Sequence, residues 1–292
     1  MLTQRFVPAS KQVFNFQREK VVYNPVDAPY FAQFVQTKEQ IVQYRMSLGI
    51  KANDFVIGRF GRPDLNKWSD LLLEMLPYAV RLIPSLKFVV QAAPPEREQW
   101  LRKFGSRIIV LPETTNEAEA QRFYQMIDVL AHSSRIGESF GNTLNEAMYW
   151  RKPVVIDSTP QRDNGQIEQI DHGQTGLIAN SPRAYASALA FLASNPEERI
   201  RLGNNGHDKV TTVYSPLTTT ETLAKVILDS ALRRGYHFSY GLKQYFDSLS
   251  FEPNENSIQE FTTEYQTRLR AYWRISFVFR ILDCWYYVPR MW

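Results

Sequence analysis

From residue 54 onward the chain alternates short apolar runs with helical stretches. "FVIGRF", "LKFVVQ", "RIIVLP", "IDVLAH", "PVVID" and "TGLIAN" are runs of strand length, rich in β-branched residues and bounded by turn residues. Between them lie helical patterns: 67–83, with Leu71, Leu72, Met75, Leu76 and Ala79 at helical spacing, then a helix opened by Pro94 and Pro95, then 117–125 and 142–150. Apolar runs without polar alternation, separated by helices, are what a parallel sheet covered on both faces requires. The pattern predicts an α/β fold, a doubly wound parallel sheet over roughly 53–180. After 180 the chain turns helical, with stretches 182–194, 196–213 and 216–234 each opened by a proline suited to a first helical turn. The last segment, 235–292, changes character: "AYWRISFVFRILDCWYYVPRMW" interleaves aromatics with Arg274, Arg280 and Arg290.

Ligands of doubly wound sheets bind outside the carboxyl ends of the strands. That places 61–67, 132–138 and 157–166 around one crevice. Composition narrows what they hold. At 292 residues, 44% hydrophobic and 22% charged, the chain is an ordinary globular one with a sizeable core. A net charge of +4 and no zinc spacing, basic heptad or RNP-like strand give no basis for nucleic-acid binding. The lone Cys284 excludes an internal disulfide and fits a reducing compartment. The first residues carry no apolar run of signal-peptide or anchor type, so a cytoplasmic protein is expected.

The stretch "ESFGNTLNEAM" sets Glu138 and Glu146 eight positions apart across Phe140 and Gly141. Taken alone, Glu146 fits a capping box begun by Thr143, and Glu138 fits a solvated loop acid. Gly141 nevertheless admits a ligand close to the backbone, and the helix behind it aims free N–H groups at the same crevice. Two ionised carboxylates beside an anion site suit sugar hydroxyls, and a nucleotide sugar offers hydroxyls and a diphosphate together. Arg62 and Lys67, five residues apart after the first strand, suit a diphosphate clamp, although a solvated loop and an exposed helix start explain them better when they stand alone. Arg59, on or near the strand, is expected in structural pairing.

Four motifs in this order resemble those of the C-terminal, nucleotide-sugar-binding half of a GT-B glycosyltransferase of the family 4, group 1 type. They are Gly61-Arg62 with Lys67; Glu138 and Glu146 with Phe140 and Gly141 between them; "EAMYWRKPVVI"; and "NGQIEQIDHGQTGLIAN". "VVYNPVD" resembles the family's link between its two halves. Arg151 and Asn164 stand where the family prefers glycine.

The resemblance implies a Rossmann-like GT-B domain over 51–234, a remnant of the interdomain region over 1–50, and a helical C-terminal extension over 235–292. It implies a retaining transfer from a nucleoside diphosphate sugar, used as co-substrate, with no cofactor and no metal. Arg62 and Lys67 would neutralise the leaving diphosphate, Glu138 would bind the transferred sugar and Glu146 the ribose. Gly61 and the backbone of Phe140, Gly141 and Asn142 would assist. His132 and Glu168 are further donor-side candidates, each with a structural alternative. Because the family's first half has no counterpart here, an acceptor domain is expected from elsewhere, such as a separate subunit. A non-catalytic nucleotide-sugar-binding or scaffold subunit is the alternative. The aromatic tail reads as a helix packed on protein or as a peripheral contact with a membrane surface.

Overall fold

The computed structural model describes residues 22–160, 162–236, 241 and 244. The tail beyond these, with its packing and membrane readings, lies outside the described residues, as does the start of the "VVYNPVD" link.

Two short helices come first, α1 (Ala28–Ala32) and α2 (Lys38–Ser47). Asp27 caps α1, and Thr37 with Gln40 forms a reciprocal capping box on α2. This polar, aromatic-dotted segment resisted assignment from its pattern because neither helix buries a residue. It is held by its ends and by single contacts: Val26 and Ile50 are buried in the core, and Arg45 pairs with Asp128 at 3.0 Å.

The α/β body follows as β1 (Phe55–Phe60), α3 (Asp70–Glu74), α4 (Leu76–Leu82), β2 (Leu86–Gln91), α5 (Pro95–Leu101), β3 (Ile108–Leu111), α6 (Glu117–Met126) and β4 (Val129–His132). It continues with β5 (Gly137–Glu138), α7 (Asn142–Tyr149), β6 (Val154–Ile156), β7 (Asp163–Asn164), α8 (Gln166–Gln169) and β8 (Gly176–Ile178). The helical part is α9 (Pro182–Ser194), α10 (Pro196–Val213) and α11 (Pro216–Arg233). Six strands form one sheet in the order β3-β2-β1-β4-β6-β8, every pairing parallel. Among the described residues no helix is long and apolar enough to cross a membrane.

Alternation along the strands divides the core in two. Phe55, Ile57, Phe88, Val90, Val129, Ala131 and Val155 face one cluster, which includes Leu72 and Leu76 of α3 and α4 and Leu189 of α9. Val56, Val89, Leu130, Val154 and Ile156 face the other, with Phe123, Leu144, Met148 and Val210 from α6, α7 and α10. Both faces of every inner strand are thus covered, which is why the runs read as apolar throughout.

Two details differ from the sequence pattern. The helix expected over 67–83 is broken: Ser69 caps a new start at Asp70, its hydroxyl accepting the Leu71 N–H at 3.2 Å. Pro77, which has no N–H to donate, sits in the first turn of α4. Lys67 therefore ends a separate turn, Leu65–Lys67, in front of the helix. Second, 137–138 and 163–164 form a two-stranded parallel sheet of their own, Gly137 opposite Asp163 and Glu138 opposite Asn164.

The chain order reverses about β1: β2 and β3 lie to one side, β4, β6 and β8 to the other. The crevice outside the ends of β1 and β4 is the switch point where such sheets take their ligands.

Candidate functional site

A cavity of about 310 Å³ opens there, lined by residues from the ends of β1, β2, β3 and β4, from β5 and from the start of α7. Gly61, Arg62, Lys67, His132, Glu138, Phe140, Gly141 and Asn142 are all among its walls. Eight of the ten sequence-selected residues therefore share one space. Glu146 and Glu168 do not line it.

Glu138 is the best-held of them. Its Oε2 accepts from Lys67 Nζ at 2.9 Å and its Oε1 lies 3.2 Å from His132 Nε2. Burial alone would raise this carboxyl's pKa. The hydrogen bonds and charges of His132 and Lys67 overcome that and bring it down to about 2. A carboxyl lowered in the fold stabilises it fully above its ordinary value of 4.5 and loses that contribution as pH falls toward about 2. The expected result is a steep acid-side loss of stability in the parent chain, flattened in Glu138→Gln. Urea unfolding at a series of pH values from 5 to 2 checks it, and parallel curves for the two proteins would contradict it.

The His132 ring is placed by the C-terminal end of β4 and is buried. Its carbonyl accepts the Tyr185 hydroxyl at 3.1 Å, and its Nδ1 has no partner among the described residues. Arg62, in contrast, is exposed at the rim.

The sequence pattern assigns Arg59 a role in structural pairing and none at the ligand. This residue is 1% exposed, stacks on Trp68 at 4.3 Å, and donates through Nη2 to the Lys67 carbonyl. Its Nε and Nη1 have no partner among the described residues, and it lines the cavity. Burial pulls its pKa down to about 10, with Glu138 opposing, so it stays charged at neutral pH. Gly61 makes room for it: a Cβ there would come within 2.7 Å of Arg59 Nη1. Structural pairing thus occupies one of the guanidinium's three nitrogens and leaves two.

At the other wall, α7 begins at Asn142 with Gly141 as its N-cap and no side-chain cap. Thr143 is inside the helix, so the capping box read from Thr143 and Glu146 does not form. Glu146 is half-buried in the second turn, near the Tyr124 hydroxyl. Burial pushes its carboxyl up, Tyr124 opposes and Glu117 adds to the rise. Phe60, a wall of the cavity, packs on Tyr124 with ring centres 5.0 Å apart, so Glu146 stands behind that wall.

The Gly141 N–H, expected to point at a ligand, donates instead to Gln169 Oε1 at 2.7 Å. Asn142 and Thr143 follow it along the cavity. Glu168 is buried on α8, and its carbonyl accepts from Lys209 Nζ at 3.0 Å.

Residues 54–195 match the family of glycosyl transferases group 1. The match covers just under half of the chain. The D-inositol 3-phosphate glycosyltransferase of Corynebacterium kroppenstedtii is 27% identical to this chain over 212 residues, 68% of this chain and 45% of that protein. The alpha-monoglucosyldiacylglycerol synthase of Acholeplasma laidlawii is 22% identical over 181 residues, 61% and 44% of the two chains. The chain thus spans less than half the length of these curated relatives.

Among solved structures, Anabaena HepE in complex with UDP superposes with a TM-score of 0.61 at 22% identity, covering 72% of this chain and 57% of that one. The C-terminal domain of the group 1 protein LpcC from Francisella tularensis gives 0.55 at 24% identity, covering 65% of this chain and 99% of that domain. The fold of this domain is therefore that of the C-terminal half of a GT-B protein.

Proposed function

We propose that this chain is the donor-binding half of a retaining glycosyltransferase, using a nucleoside diphosphate sugar and completed by an acceptor-binding half supplied from elsewhere. The observation that carries the reading is the composition of one cavity at the switch point. Arg59, Arg62 and Lys67 gather on one side of it, and Glu138 stands 2.9 Å from the Lys67 ammonium.

The chemistry follows from that arrangement. As the bond between the anomeric carbon and the diphosphate breaks, negative charge grows on the leaving oxygens. Arg59 offers two nitrogens without partners among the described residues, Nε and Nη1, from a water-poor, preorganised position, Lys67 offers a point charge, and Arg62 reaches in from the rim. Glu138, ionised throughout the neutral range, accepts hydrogen bonds from sugar hydroxyls and lies where positive charge grows on the ring. Retention and independence from a metal belong to this reading, as does the absence of a cofactor.

Glu146 is assigned to the ribose hydroxyls at the Phe60 edge of the cavity. Since a hydrogen bond to a charged group contributes about 1.5–3 kcal/mol, Glu146→Ala is expected to weaken UDP binding by roughly ten- to a hundredfold. Calorimetric titration with UDP measures it, and parent-like affinity would leave Glu146 as a helix residue beside Tyr124.

The reading as a whole is tested by binding of UDP-glucose and GDP-mannose to the purified chain, followed by transfer with candidate acceptor subunits. A chain that binds neither nucleotide sugar contradicts it. The relatives' names, one with D-inositol 3-phosphate and one for the synthesis of a monoglucosyldiacylglycerol, indicate that acceptor choice varies around this half.

A further inference from the structure

The loop that carries Glu138 is held by two glutamines that the sequence motifs pass over. Gln166 and Gln169 lie three residues apart on α8, at 2% and 0% exposure. Gln166 Oε1 accepts the Glu138 N–H at 3.2 Å, while its Nε2 donates to the Asp157 carbonyl at 3.2 Å and the Thr159 hydroxyl at 2.9 Å. Gln169 Oε1 accepts the Gly141 N–H at 2.7 Å, while its Nε2 donates to the Gly141 carbonyl at 3.0 Å and to Asn145 Oδ1 at 2.9 Å.

The spacing is matched. Glu138 and Gly141 are three residues apart on the loop, as the two glutamines are on α8, and each amide grips one of them. The Glu138 carbonyl is taken as well, by the Gly165 N–H at 2.6 Å. The backbone of Glu138 is therefore fixed at both polar atoms, by consecutive residues of one segment. Burying two primary amides is costly unless every polar atom is satisfied, and an apolar side chain would fill the same volume without that demand. What the amides supply, and apolar residues would not, is a fixed direction for this backbone.

We propose that Gln166 and Gln169 are positioning residues for the donor site: they set where Glu138 stands relative to Lys67 and to the sugar, without touching either. The proposal rests on the donor-site reading above. It predicts an effect on the sugar part of the donor and little on the nucleotide, because Glu138 faces the former.

The test uses the full chain and compares Gln169→Leu, Gln166→Leu and Gln169→Glu with the parent. Two quantities are read: dissociation constants for UDP and UDP-glucose by calorimetry, and amide hydrogen exchange over 137–142 by mass spectrometry. In the parent, UDP-glucose is expected to bind more tightly than UDP. Each leucine variant is expected to lose that sugar-dependent gain, by about tenfold, while UDP itself changes less than about threefold. Exchange over 137–142 quickens by about tenfold, and exchange elsewhere stays as in the parent.

Gln169→Glu keeps the acceptor for the Gly141 N–H. Its second oxygen, however, faces the Gly141 carbonyl that Nε2 served, and a buried carboxylate cannot donate there, so this variant is expected to lose the gain as the leucine variants do.

A parent that binds neither nucleotide overturns the donor reading itself. Leucine variants that keep the sugar-dependent gain overturn the positioning role alone. So do variants that quicken exchange throughout the chain, which marks a general loss of stability.

Discussion

Lys67→Ala is expected to lower donor turnover by on the order of a hundred- to a thousandfold, the usual cost of deleting one preorganised charge at a leaving group. The Lys67 ammonium lies 2.9 Å from Glu138 and lines the cavity, on a short turn placed between β1 and α3. Its backbone carbonyl, which receives the Arg59 guanidinium, is unchanged by the substitution, so Arg59 keeps its position on Trp68. The variant loses a cation from both the diphosphate and Glu138, and the Glu138 pKa rises as a second consequence. Steady-state kinetics with the best donor and acceptor, next to a thermal melt, separate the effects. A fall in kcat with the melting midpoint held supports leaving-group stabilisation. Parent-like turnover removes Lys67 from that role.

Gly137→Ala is expected to be the most damaging single-methyl change in the site. Gly137 has φ +73°, and a Cβ built on it falls 1.6 Å from the Asp163 carbonyl oxygen. The left-handed backbone costs a non-glycine residue about 1–2 kcal/mol, and the clash forces β5 off β7 in addition. At roughly 2–4 °C per kcal/mol for a domain of this size, the melting midpoint drops by about 5–10 °C. Donor binding falls with it, because Glu138 is the next residue. Gly173→Ala is the control: its φ is +75°, yet nothing lies within 4 Å of the added Cβ. It shows the backbone cost alone. Equal midpoints and equal donor affinities for the two variants would refute the steric account.

The body of the fold was readable because each inner strand is buried on both faces, and such strands leave an apolar run that needs no partner to be recognised. The break between α3 and α4 was not readable from periodicity, since Leu71, Leu72, Met75 and Leu76 keep helical spacing across it. Ser69 and Pro77 are its local signs. α1 and α2 escaped for the opposite reason: they bury no residue and leave no stripe.

At the site, Lys67 and Glu138 came from motif resemblance. Their contact is a property of two loops 71 residues apart. Arg59 was passed over because an arginine within "FVIGRF" looks like a strand residue awaiting a partner. Only burial reveals that two of its nitrogens have none. Gln166 and Gln169 flank Glu168, and an acid between two neutral amides drew the attention. A rule that asks which side chains satisfy the backbone of an irregular loop would have favoured the amides.

The two-stranded pairing of 137–138 with 163–164 has a consequence for the order of folding. The strands are separated in the chain by α7 and β6, so their pairing closes a loop that contains both. Loop closure over that span is paid before any contact rewards it. The α/β body can therefore assemble around β1, β2 and β4 while the site is still unmade. On a ribosome, a nascent chain that ends before Asp163 would carry every strand of the main sheet but β8, with Lys67 and Glu138, and yet lack the segment that brings the last two into register.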